Sequence, residues 1–83
     1  MTRKDLLQRV RQRPFSPFRP VLSEGTPCEV RHPDQIMVTR DAAAIGVPGQ
    51  QGQDFFETTV LVDLFHIVRL EPLVTAKAAG NGQ

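Results

Sequence analysis

The chain has no tryptophan and no tyrosine, a single cysteine and two histidines in 83 residues. Grooves for proline-rich peptides and cages for methylated side chains are built from Trp and Tyr faces, so their absence speaks against that kind of binding. Single-strand nucleic-acid binders stack bases on aromatic rings, and the expectation is that the five phenylalanines are largely committed to the core. With one cysteine, Cys28, no intramolecular disulfide framework is available. A lone cysteine without a secretion signal fits a reducing compartment, and the expected localisation is cytoplasmic. No run approaches the roughly 20 apolar residues needed to cross a bilayer. The segment Met1-Thr2-Arg3-Lys4-Asp5 does not resemble a signal peptide, so no membrane association is expected.

Catalytic patterns are also missing. Nothing Gly-rich precedes a helix to cradle phosphate, and no paired carboxylates stand out. Cys28, His32, His66 and Asp63 can be drawn as a nucleophile, base and orienting group, but no spacing in the sequence brings them together. Cys28 and His32 on one strand would stand roughly 13 Å apart, too far to share a metal ion. The expectation is a protein that is not an enzyme, with no cofactor, no metal and no small-molecule substrate.

What the chain does have is an uneven charge. Net charge is +1, yet residues 1–20 carry six basic side chains against Asp5, a local balance of +5. The remaining residues carry four basic and eight acidic side chains, a balance of −4. A basic segment joined to an acidic body can meet a polyanion or pair with a neighbouring subunit. Most such segments are simply a solvated helix face.

The order of elements is legible. Thr2 can cap a helix over about residues 3–12, with Asp5 three residues on as in a capping box. Leu6, Leu7 and Val10 recur at helical spacing, and Pro14 bars continuation. Phe15 and Phe18 in the proline-rich stretch 14–20 can anchor an extended segment to the core. The stretch also matches the spacing of proline-rich ligands, but burial of those two rings would lock it into the fold. Val21 and Leu22 continue a strand into a turn at Gly25, which can take positive φ. Cys28 to Arg31 reads as the return strand, with Cys28 and Val30 on one face. Ile36–Val38 and the alternation Ala43, Ile45, Val47 read as further strands, the small residues suiting close packing against the helix. Pro48 to Gln53 is the clearest loop. Phe55 to Val62 is the longest β-branched and aromatic run. Asp63 should cap a turn before a last strand over Ile67–Leu70, although Leu64, Ile67 and Val68 also share helical spacing. Residues 1–73 thus form one domain, with strands over about 18–71 and a disordered tail over 74–83. Five short strands limit their exposed edges by closing into a small barrel or a strongly bent meander sheet.

The stretches Pro17-Phe18-Arg19, Glu29-Val30-Arg31-His32-Pro33 and Val62 to Pro72 resemble a family of short bacterial proteins of uncharacterised function, over roughly residues 5–73. That resemblance implies no activity. The layout also resembles the Sm-like and SH3-like small barrels, including the bacterial Sm-like RNA chaperone. It implies a helix before five strands, ring formation, and RNA contacts from the segments His32-Pro33-Asp34-Gln35 and Asp63-Leu64-Phe65-His66. The chaperone's aromatic-lysine-histidine turn lacks its lysine here, and the Asp-X-Asn and Arg-Gly patterns of other Sm proteins are absent. The fold analogy outlasts these departures better than the RNA activity does.

Two readings follow. The first is a protein-interaction or self-assembling module, a homo-oligomer or the partner of another protein, because so short a chain gains stability from association. The second is a low-specificity nucleic-acid binder of Sm-like type. Its candidate contacts are Arg3, Lys4, Arg9, Arg11 and Arg13 on the helix, with His32 and His66 from the turns. The first is preferred.

Overall fold

Helix α1 spans Arg3–Arg11, and its start is set as its sequence requires. The Thr2 side chain accepts a hydrogen bond from the Asp5 backbone amide at 3.1 Å, satisfying one amide that the helix itself cannot. Gln12 is already extended, so α1 ends one residue earlier than expected, ahead of Pro14. Leu6 is fully buried and Val10 packs against the core. The computed structural model describes residues 1–49 and 55–73. Most of the expected loop 48–53 and the expected disordered tail 74–83 lie outside the described residues. No helix among the described residues is long and apolar enough to cross a membrane.

Five strands follow: β1 (Phe18–Leu22), β2 (Ile36–Val38), β3 (Ala42–Pro48), β4 (Phe56–Asp63) and β5 (Ile67–Pro72). The protein is therefore mainly β with one N-terminal helix. The strands lie in two sheets, β1–β5 and β2–β3–β4, and among the described residues they form no closed barrel. The second sheet is the expected meander. The first is not, because β1 pairs with the last strand, from Phe18 opposite Pro72 to Leu22 opposite Ile67.

Two local expectations need correction. Cys28–Arg31 is not a strand; it touches β1 through a single bridge, in which Phe18 and Val30 exchange both backbone hydrogen bonds at 3.0 and 2.8 Å. Pro27 lacks an amide donor and His32-Pro33 turns the chain into a short 3₁₀ turn, Pro33–Gln35, so the pairing cannot extend. The alternation still holds, with Cys28 and Val30 buried and Glu29 and Arg31 exposed. Asp63 does precede a turn, the 3₁₀ turn Leu64–His66, but its side chain makes no capping hydrogen bond. From Ile67 the chain is strand, as its β-branched residues favour.

Leu6, Phe18, Val30, Ile45 and Ile67 are fully or almost fully buried and bring the helix and both sheets onto one core. Burying each such side chain stabilises the fold by about 1.5–3 kcal/mol. The Phe15 ring lies 6.0 Å from that of Phe18, so both aromatics anchor the extended segment, as their positions implied. The main strand neighbour of α1 is β2, rather than the small residues of β3. Gly25 takes φ 89° in the turn after β1.

One polar side chain is buried among these residues. The Gln35 amide oxygen accepts from the Arg31 amide at 2.8 Å, and its nitrogen donates to the carbonyls of Glu29 and Gly46 at 2.6 and 2.8 Å. Glu29–Arg31 belongs with β1, and Gly46 belongs to β3. A side-chain amide thus ties the two sheets together where no strand ladder does.

Candidate functional site

The basic helix divides into two groups. Arg3, Lys4 and Arg11 share an exposed face with Leu7 and Gln8, around a shallow depression of about 450 Å³. Spacings of three and four residues, as in Arg3–Leu7–Arg11 and Lys4–Gln8–Arg11, place side chains on one side of a helix. Arg9 turns the other way: its guanidinium carbon lies 5.4 Å from the centroid of the Phe18 ring, a cation–π distance. Its Nε is buried with no hydrogen-bond partner among the described residues. Arg13 folds back onto the helix end, where Nη1 donates to the carbonyls of Val10 and Gln12 at 3.0 and 2.9 Å.

The two histidines stand elsewhere, and in different places. His66 Nδ1 lies 3.1 Å from Ser23 Oγ, and the Ser23 amide donates to the His66 carbonyl at 2.9 Å, so this pair joins the turn after β1 to the turn before β5. Both side chains are exposed. His32 borders a cavity of about 790 Å³ whose lining includes Cys28, Gln35, Val47 and Phe56. Neither histidine joins the depression on the helix. Of the seven candidate residues, the structure gathers Arg3, Lys4 and Arg11.

The chemistry of the remaining groups is subdued. Burial, reinforced by the negative charge of Glu24, pushes the Cys28 thiol above its ordinary pKa, which makes it a poor nucleophile. Among the described residues no three His, Cys, Asp or Glu side chains come together as a metal site. Arg19 is held between Glu29 and Glu71 at 4.0 and 3.7 Å, and those carboxylates also meet Arg31 and Arg69 at 2.8 and 2.9 Å. The acidic body thus takes up one of the N-terminal charges within the chain itself.

The strand over Phe55 to Val62 was expected; what the sequence reading missed is how much of β4 faces outward. Its residues Phe56 to Thr59 are exposed on both faces, and Leu61 is 74% exposed. The register places Met37 opposite Ala44 and Ala44 opposite Leu61, so these three form a row across the outer face of the sheet. Met37 is 65% exposed as well. Among the described residues β4 also ends the order β2–β3–β4, so its far edge carries backbone groups with no partner there. The alternation of Thr58, Val60 and Val62 with Thr59 and Leu61 is visible in the sequence. Which set faces the core depends on register, which the sequence leaves open. The phenylalanines are not largely committed to the core as expected: Phe15 and Phe18 pack into it, whereas Phe55, Phe56 and Phe65 are exposed, Phe65 to 90% on its turn.

No protein-family model, no curated protein and no solved structure matches the chain.

Proposed function

We propose that the protein is a non-catalytic interaction module that works by protein contact through β4. The observation that carries this reading is the edge of β4, open among the described residues, beside the row Met37–Ala44–Leu61 with its exposed ends Met37 and Leu61. Exposed apolar strands with free edges are templates for pairing with another chain. A poorly nucleophilic Cys28, and a Ser23–His66 pair open to water, support a role other than catalysis. The order of one helix and then five strands supports kinship with the Sm-like and SH3-like small barrels, and the two-sheet pairing is the point at which that kinship is weakest.

A second reading, low-specificity nucleic-acid binding, is favoured by the open helix face of Arg3, Lys4 and Arg11. Three phosphate contacts would give a shallow affinity that falls as salt rises.

The two separate in one experiment, in which the mass of the purified protein and its absorbance near 260 nm are followed from low to high salt. Without Trp or Tyr the chain is almost transparent there. Association that persists in high salt without a nucleic-acid band supports the interaction module. A monomer that carries nucleic acid at low salt and sheds it at high salt overturns that reading in favour of the second.

A further inference from the structure

Resting on the reading of β4 as a contact strand, we infer that its partner is a second copy of this chain, with β4 pairing antiparallel to β4 about a two-fold axis. Each three-stranded sheet then becomes half of a continuous six-stranded one.

The direction of the backbone groups comes first. The Ala42 carbonyl accepts from the Thr39 amide and the Gly46 carbonyl from Gln35, so the even-numbered residues of β3 face the β2 side. Backbone groups alternate sides along an antiparallel strand. Ala43, Ile45 and Val47 therefore bond to Val62, Val60 and Thr58, their partners in register. It follows that Thr59 and Leu61 present both amide and carbonyl outward. Among the described residues, neither has a backbone partner outside the β3–β4 ladder.

The other edges offer less. β2 is three residues long and carries α1 against it, so a head-to-tail continuation of this sheet is blocked at that side. In β1, Phe18 faces Val30, so Arg19 and Val21 face Glu71 and Arg69 of β5. The outer edge of β5 is then left with Val68, Leu70 and Pro72, the last without a donor. The β4 edge of another copy is the longest uninterrupted mate that the described fold supplies.

Charge and shape agree. Residues 58–62 are uncharged, and the positive helix sits at the opposite side of the sheet, so two copies meet with their basic helices far apart. A pairing centred on Val60 would set Glu57 against Asp63 of the second copy, and like charges directly opposite each other are destabilising. Centring on Leu61 avoids this and puts Asp63 opposite Thr59. It also joins the two Met37–Ala44–Leu61 rows into one apolar strip across the axis. The union is isologous and closed, so it stops at two.

The test is sedimentation velocity on the full chain and on two variants. In Leu61→Pro the lost amide faces outward, so the internal ladder is spared. Leu61→Lys leaves the backbone intact and places two like charges across the axis. The expected result is a dimer for the unaltered chain and a monomer for both variants, each keeping the far-ultraviolet dichroism of the parent. A dimer that survives both substitutions overturns the inference and moves the contact to another surface, leaving the interaction module standing. An assembly larger than two overturns the two-fold pairing in favour of heterologous edges and likewise spares the module. A monomer at millimolar concentration overturns self-pairing altogether.

Discussion

The ring of Phe56 lies directly over Gly46 on the neighbouring strand: a Cβ built on Gly46 would meet the ring at 2.6 Å. The cause is a one-residue bulge. Val47 pairs with Thr58 and Pro48 with Phe56, so Glu57 is the extra residue and Phe56 moves to the Gly46 side of the sheet.

Gly46→Ala should therefore destabilise the fold by about 1 kcal/mol, the low end for overpacking, because Phe56 is half exposed and its ring can swing outward. In a Phe56→Ala background the same change should be neutral or slightly stabilising, since alanine is better than glycine in a strand. Urea denaturation of the four proteins of this double-mutant cycle checks it. Additive costs would show that the ring does not constrain position 46.

Gln35 should be among the least replaceable polar residues. Gln35→Leu leaves the Arg31 amide and the Glu29 and Gly46 carbonyls without their partner, and should cost about 3 kcal/mol. Gln35→Glu tests the direction of the bonds. A carboxylate can accept from Arg31 but cannot donate to two carbonyls, so its pKa rises and the variant is least impaired in acid. Its stability should fall as pH increases through the carboxyl range, measured by denaturant midpoint from pH 4 to 7.

Thr2→Ala removes the cap acceptor of α1 and should cost about 1 kcal/mol, whereas Thr2→Ser should cost almost nothing. In a domain this small that is a loss of roughly 4–8 °C in Tm. An unchanged Tm would mean that the end of α1 frays without consequence for the core.

Cys28 should react with iodoacetamide much more slowly at neutral pH than it does in the denatured chain. Its thiol is pushed up by burial and, secondarily, by Glu24, so the folded state holds the proton more tightly than the unfolded state. The linked stability is fully present below the unfolded thiol pKa of about 8.5 and is lost as pH rises above it. Cys28→Ala should remove that alkaline decline. Equal alkylation rates in the folded and denatured protein would contradict the burial.

These residues also show what a sequence can carry. Local chemistry was legible: Thr2 as cap, the glycine turn at Gly25, proline as terminator, the alternation that became β3, and the apolar and β-branched runs that became β2, β4 and β5. Each depends on neighbours within a few residues. The sequence also marked core residues, by periodicity at Leu6, Cys28, Val30, Ala43 and Ile45 and as an aromatic anchor at Phe18. The seven candidate contacts were legible as charges and imidazoles but not as a site.

Tertiary structure decided the rest, because its terms are long-range. β1 passes over its neighbour to pair with β5, some 50 residues away, once Pro27 and Pro33 deny Cys28–Arg31 a ladder. Gln35 reads in the sequence as a surface residue, and only the approach of Glu29–Arg31 to Gly46 makes its amide the tie between two sheets. Arg9 looks like Arg3 and Arg11 until Phe18 comes beneath it. Leu61 looks like a core residue until register turns it outward, since a one-residue change in pairing moves every side chain of a strand to its other face. Local sequence set most of the elements; the packing of distant segments chose which side chains face water and are free to meet a partner.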